Sequence, residues 1–246
     1  MKKILLSTML CLTLNFAATV DEGIAYANNS DYVKAYSIFE EFALQNNSAA
    51  QYNLGLMYDN GDGVKQDYFK AKEWYEKAAI QGYSSAQYNL GVMYDKGEGV
   101  KQDYFKAKEW YEKAAIQGHS SAQFNLGVIY YKGRGVKQDY FQAKVWYEKA
   151  AMQGDASAQF NLGNMYDKGK GVKQDYQKAK ELYEKASMQG LSSAQLNLGV
   201  MYYSGEGVNV DKFKTYELWI KAAKQGNSGA QGNLDILCKE SPWACK

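Results

Sequence analysis

The stretch Ala86-Gln87-Tyr88-Asn89-Leu90-Gly91 decides the fold, because it comes back. Ala-Gln-aromatic-Asn-Leu-Gly starts at Ala50, Ala86, Ala122 and Ala158, and with leucine in the aromatic place at Ala194. At Ala230 it returns in degraded form, and each start lies 36 residues after the last. A period of this size marks stacked supersecondary units, none of which buries its apolar face alone. Such a stack presents faces where an enzyme would present a pocket, so function is to be sought on a face.

One unit runs from Ser84 to His119. Ser84-Ser85-Ala86-Gln87 fits a capping box that opens a first helix, A. The same pattern stands at Ser48, Ser120, Ser192 and Ser228, while at Ala156 the serine is lost and Asp155 is the expected cap. Helix A carries Ala86, Leu90, Met93 and Tyr94 at helical spacing, and Gly91 leaves a flat place where a second helix can approach. Gly97 ends it and Gly97-Glu98-Gly99-Val100 makes the turn. Asp103 caps helix B, whose inward residues are Tyr104, Ala107, Trp110, Tyr111, Ala114 and Ala115. Its outward side holds Lys106, Lys108, Glu109, Glu112 and Lys113, with Glu109 and Lys113 in the favourable i, i+4 order. Gly118 closes the unit.

Read this way, the chain has a leading B-type helix from Asp31 to Gln45, five A and B pairs from Ser48 to Gln225, and a last A-type helix from Ser228 to Leu237. The ends are atypical, as caps of a stack should be: Phe42 stands for the usual alanine, Asp235 for the packing glycine and Gly232 for the aromatic. The expected fold class is all-α, a solenoid of 36-residue helix-turn-helix repeats.

The first 27 residues read as an export signal: Lys2 and Lys3, an apolar run from Ile4 to Val20, and Ala25-Tyr26-Ala27 as a small-x-small cleavage site. The competing reading is an uncleaved anchor, for which the run sits at the short limit of the roughly 17 to 25 residues a spanning helix needs. Cleavage leaves a chain that starts at Asn28, periplasmic or secreted, with no further stretch for membrane insertion. Cys11 departs with the signal, and Cys238 and Cys245 remain as an even pair around the chain's only proline, Pro242. In an exported protein they are expected to form a disulfide. Net charge is +2, with Lys and Glu interleaved, so no basic stripe points to nucleic acid or anionic lipid. The chain is read as a monomer.

Leu90-Gly91-x-x-Tyr94 with an alanine-rich second helix resembles the tetratricopeptide superfamily. Two features narrow the resemblance. The period is 36 residues, against about 34 in that superfamily. The Gly-x-Gly-Val-x-x-Asp turn and the Ala-Ala-x-Gln-Gly close of helix B are similar to those of the Sel1-like repeat family. The resemblance implies a right-handed α-α superhelix whose concave side is lined by helix A. It divides the chain into a signal peptide at 1–27, an N-terminal capping helix at 28–47, five repeats at 48–227, and a capping helix with a disulfide-closed tail at 228–246. It also implies an adaptor or scaffold; exported relatives bind host or envelope proteins or neutralise secreted toxins. A cysteine-rich branch binds penicillin and weakly hydrolyses β-lactams, but carries a cysteine pair in each unit, which this chain lacks.

Helix A residues left over from packing form ladders along the stack. One is Tyr52, Tyr88, Phe124, Phe160 and Leu196; a second is Leu56, Val92, Val128, Asn164 and Val200; a third is Asp59, Asp95, Tyr131, Asp167 and Tyr203. A fourth is Asn53, Asn89, Asn125, Asn161 and Asn197, each asparagine offering both a donor and an acceptor. The candidate partner-binding residues are therefore Tyr88, Asn89, Val92, Asp95, Phe124, Asn125, Val128, Tyr131, Phe160, Asn161, Asn164 and Asp167, placed to take a protein or peptide. Two plainer readings stay open: the rings pack within the stack, and the asparagines tie helix A to a neighbouring element. Tyr83, His119, Asp155, Leu191 and Asn227 vary from unit to unit, as do Glu98, Arg134, Lys170 and Glu206 in the turn, and are candidate selectivity positions.

Catalytic patterns are not found. Gly118-His119-Ser120 joins two helices, and Gly-x-Ser recurs at Gly82, Gly190 and Gly226 without a histidine, so it is punctuation and not a nucleophile elbow. Gly97-Glu98-Gly99 lacks the strand and the Lys-Ser/Thr of a phosphate loop. One histidine does not build an ordinary zinc site. The expected function is an exported interaction scaffold without cofactor, metal or catalytic residue. An immunity-type toxin inhibitor is the competing reading, and β-lactam binding or hydrolysis a more distant one.

Overall fold

The computed structural model describes residues 18–245, and among them lie thirteen α-helices, one 3-10 turn and no strand. The fold class is the all-α repeat expected from the sequence. The helices fall into two compact units, one ending at Trp74 and one beginning at Tyr75, with the division inside α4 (Tyr68–Ile80).

The first unit holds α1 (Val20–Asn28), α2 (Tyr32–Leu44) and α3 (Ser48–Asn60). Thr19 caps α1 with a complete capping box: its hydroxyl accepts from the Glu22 amide, and the Glu22 carboxylate accepts from the Thr19 amide. Gly23 is buried, and a Cβ built on it would stand 2.7 Å from the Phe39 ring of α2. The Asp31 amide donates to the Tyr26 carbonyl five residues back. Both relations are those of a full repeat, in which Gly91 lies against Tyr111 and the Asp103 amide donates to the Tyr94 carbonyl nine residues back. Helices α1 and α2 therefore form a further hairpin whose turn is shortened by about four residues. The expected cleavage motif Ala25-Tyr26-Ala27 falls within α1, and the capping helix expected over 28–47 is α2. The other signal features, Lys2, Lys3, Cys11 and most of the apolar run, lie outside the described residues.

The second unit contains the hairpins α5 (Ser84–Lys96) with α6 (Tyr104–Ile116), α7 (Ser120–Lys132) with α8 (Tyr140–Met152), α9 (Ala156–Lys168) with α10 (Tyr176–Met188), and α11 (Ser192–Ser204) with α12 (Lys212–Lys224). They are followed by α13 (Ser228–Glu240). From α5 to α13 each helix packs on the next. The interlock is one glycine against one ring: a Cβ on Gly91, Gly127 or Gly163 would come within 2.4 to 2.8 Å of Tyr111, Tyr147 or Tyr183, and on Gly199 within 2.3 Å of Trp219. These three tyrosines are at most 1% exposed. Asp103, Asp139, Asp175 and Asp211 cap the B helices through their carboxylates, as expected. Helices α5, α7, α9 and α11 end at a left-handed glycine such as Gly97, φ 80°, a conformation that disfavours any Cβ.

The start of helix A differs from the expectation. Its N-cap is the residue before the serine, and His119, Asp155 and Asn227 accept there from the amide three residues on. The serine is the first helical residue, and the glutamine does not reach back. Gln87, Gln123, Gln159 and Gln195 are instead buried, and each donates to the preceding B helix, as Gln87 Nε2 does to the Ala79 carbonyl at 3.0 Å. Each also accepts from a glutamine that ends the next B helix: Gln117, Gln153, Gln189 and Gln225 donate to them at 2.7 to 2.9 Å. Burying an amide costs free energy unless both its ends are bonded, and this relay bonds both.

On the outer face the ion pairs are Lys108 with Glu112, Lys144 with Glu148 and Lys180 with Glu184, while Lys113 lies over the Trp110 ring at 4.0 Å instead of pairing with Glu109. Cys238 and Cys245 form the expected disulfide, which folds the 3-10 turn Pro242–Cys245 back until Trp243 meets Phe213 of α12 edge-on at 5.0 Å.

Candidate functional site

Three successive A helices, α5, α7 and α9, enclose a groove of about 520 Å³. Seven of the twelve residues marked from sequence line it: Asp95, Phe124, Asn125, Val128, Tyr131, Asn161 and Asn164. Lys132, Arg134, Lys168 and Tyr147 line it as well. Arg134 is one of the turn positions that vary between units, whereas Lys132, Lys168 and Tyr147 escaped the sequence reading: Tyr147 is assigned to the core by its helical phase, and each lysine is the last residue of its helix, where periodicity carries no information.

The ladder rings are half-buried. Tyr88, Phe124 and Phe160 tilt against Tyr111, Tyr147 and Tyr183 of their own hairpins, with centroids 5.8 to 5.9 Å apart. Tyr88 also stacks on His119 of the next cap at 4.6 Å. Packing thus accounts for part of this ladder, and in the middle of the second unit an edge remains for the groove. Asn89 is half-buried on α5 outside the groove lining, and Val92 packs against the cluster around Tyr111.

The asparagine ladder faces tyrosine hydroxyls. Asn125 stands by Tyr88 and Tyr111, and Asn161 by Tyr147. Asn197 donates to Tyr183 at 3.2 Å and to Asn164 at 3.0 Å, while Tyr183 donates to Asn164 at 2.7 Å and to Asp167 at 3.4 Å. Asn53 turns inward to its own helix, donating to the Ala49 carbonyl. Burial raises the hydroxyl pKa of Tyr111, Tyr147 and Tyr183 well above the ordinary tyrosine value. They are donors, not bases. Burial also lifts the Asp167 carboxyl above its usual value, against the lowering effect of Lys168 and Tyr183.

One hydroxyl in this series has no partner. Tyr111 is fully buried and its Oη makes no well-formed hydrogen bond, although Asn125 and Asp95 stand near it; Val92 holds the position that Asn164 takes beside Tyr183. Arg134 faces Asp95 at 3.8 Å and lies over Tyr104, and Lys170 lies over Tyr131 at 5.5 Å.

The lone histidine is a structural cap. His119 Nδ1 accepts from the Ala122 amide at 3.3 Å, and burial lowers its pKa below the ordinary value. Among the described residues no three metal-ligating side chains come together, and no helix is long and apolar enough to cross a membrane.

The Sel1 repeat model matches residues 48–83, 84–119, 120–155, 156–191 and 192–227, in register with the hairpins above. The chain belongs to the Sel1 repeat family. Among solved structures it is similar to c5321, a protective antigen of uropathogenic Escherichia coli with an SLR fold, at 37% identity and a TM-score of 0.85. That likeness covers 90% of this chain and 48% of c5321, so the chain spans about half the length of that relative. A Sel1 repeat protein from Oxalobacter formigenes is 36% identical with a TM-score of 0.81, over 86% of this chain and 84% of the other. An immunity protein from Pseudomonas aeruginosa shares the fold at 21% identity and a TM-score of 0.52, over 85% of this chain and 84% of its own. No curated protein matches.

Proposed function

We propose that this Sel1 repeat scaffold is an exported adaptor that takes a partner protein or an extended peptide in the groove of α5, α7 and α9. The observation that carries the reading is the groove itself. Phe124, Val128 and Tyr131 offer apolar surface there beside Asn125 and Asn161. Grooves of this make-up take extended segments through side-chain pockets and backbone hydrogen bonds. The Cys238–Cys245 disulfide supports an oxidising compartment. Of the competing readings, toxin neutralisation rests on likeness of fold alone, and no residue constellation supports β-lactam hydrolysis.

Site-specific photocrosslinking tests the proposal. A benzophenone amino acid at position 128 is expected to capture one discrete partner from the native envelope, and the same group at Lys149 on the outer face is not. With the benzophenone kept at position 128, Tyr131→Ser on the groove wall should sharply reduce capture while the circular dichroism spectrum stays helical. Equal capture from both positions, or capture that survives Tyr131→Ser undiminished, overturns the groove as the site.

A further inference from the structure

Resting on that groove reading, we propose that the occupant is an acidic segment in the polyproline II conformation, with a carboxylate at every third residue. Charge is the first argument. Lys132, Arg134 and Lys168 line the groove against one carboxylate, Asp95, which Arg134 already faces. Lys132 and Lys168 are exposed, and each is the last residue of its A helix, so they stand one repeat apart on the same rim.

Pitch is the second. The A helices α7 and α9 also touch each other directly, and helices in contact stand about 8–10 Å apart, which sets the approximate step from Lys132 to Lys168 and from Asn125 to Asn161. Polyproline II advances about 9.3 Å in three residues and returns the side chain to the same side. A β-strand advances about 10 Å in three residues but turns the third side chain to the opposite face. Only the first conformation keeps a carboxylate on each lysine. The third argument is the backbone. Polyproline II has no internal hydrogen bonds, so its amides and carbonyls need outside partners, and Asn125 and Asn161 carry both kinds of group at the same pitch. Phe124 and Tyr131 supply the aromatic floor on which such segments rest.

Fluorescence anisotropy on the purified chain at low salt tests this with three labelled twelve-residue peptides: four repeats of Glu-Pro-Pro, four of Lys-Pro-Pro, and a peptide of the first composition with its glutamates contiguous. The in-register acidic peptide is expected to bind at least about tenfold more tightly than either control and to weaken as salt screens the charges. Lys132→Glu combined with Lys168→Glu should remove that preference, while the circular dichroism melt falls by no more than a few degrees, since both side chains are exposed and the reversal opposes only the two helix dipoles. Equal binding of the three peptides, or of the wild-type and reversed chains, overturns the proposal. If it fails while position 128 still captures its partner, the groove stands and only the nature of its occupant is wrong.

Discussion

At the scale of single residues, the stack shows what one substitution does to a repeated environment. Tyr111 and Tyr183 occupy the same place two hairpins apart, yet Tyr183 has Asn164 as acceptor and Tyr111 has Val92 at that position. A buried hydroxyl without a partner forgoes a hydrogen bond worth about 1 kcal/mol net. Val92→Asn copies the Asn164 arrangement, and a melting curve should show a gain of about 2 to 4 °C for a chain of this size. No gain, or a loss, would mean that the Tyr111 hydroxyl is satisfied in solution. His119 gives a pH dependence of known sign. Its folded pKa lies below the unfolded value of about 6.5 because burial disfavours the charged ring. The unfolded chain therefore takes up the proton first, and the stability His119 contributes is complete above about pH 6.5 and is lost as pH falls through the folded pKa. The drop in melting temperature from about pH 7.5 to about pH 5 should shrink in His119→Asn, since Asn caps α13 at the equivalent Asn227 without titrating. At this scale the ladders are legible in the sequence, because period and helical phase fix which side chains share a side. Their partners are not: Asn161 meets Tyr147 only because α9 packs on α8, and no spacing within one unit encodes that meeting.

At the scale of elements, the B helices and the turns are read correctly, since Asp103 and Gly97 act through their own backbone neighbours. The A helix start is misread by one residue. Ser84 and Gln87 have the spacing of a capping box, but the glutamine gains more by bonding Ala79 and Gln117 in the core than an exposed amide at its own N-terminus. Helix α1 is missed because its turn is too short for the repeat pattern and because its residues also satisfy a cleavage motif. Phe39 is 1% exposed and rests on Gly23, so a chain beginning at Asn28 loses the cover of that ring. Exposing one such side chain costs roughly 2 kcal/mol. A chain beginning at Thr19 should accordingly melt several degrees above one beginning at Asn28 and bind less of a dye for apolar surface. Equal melting of the two would show that α1 contributes nothing to the fold.

At the scale of the molecule, the second unit behaves as a line of hairpins in which each element packs on the one before and the one after it, so its stability is close to a sum of unit and interface contributions. The glutamine relay belongs to the interfaces. Gln123 joins α7 to the Ala115 carbonyl of α6 and to Gln153 at the end of α8, and Gln159 repeats this one hairpin later. Leucine fills the same space without the bonds. Ala115 keeps the Gly118 amide and Gln153 can turn to solvent, so each replacement should cost only about 1 kcal/mol. The consequence lies in where the loss falls. Cutting two successive rungs with Gln123→Leu and Gln159→Leu weakens adjacent interfaces while leaving those of α11 to α13 intact. Hydrogen exchange should then quicken in α6 to α10 and stay at the wild-type rate in α12 and α13, and the unfolding curve should broaden as the unit ceases to melt in one step. A uniform rise in exchange along the whole unit would instead show coupling longer than one neighbour, carried by the glycine-on-ring contacts rather than by the relay.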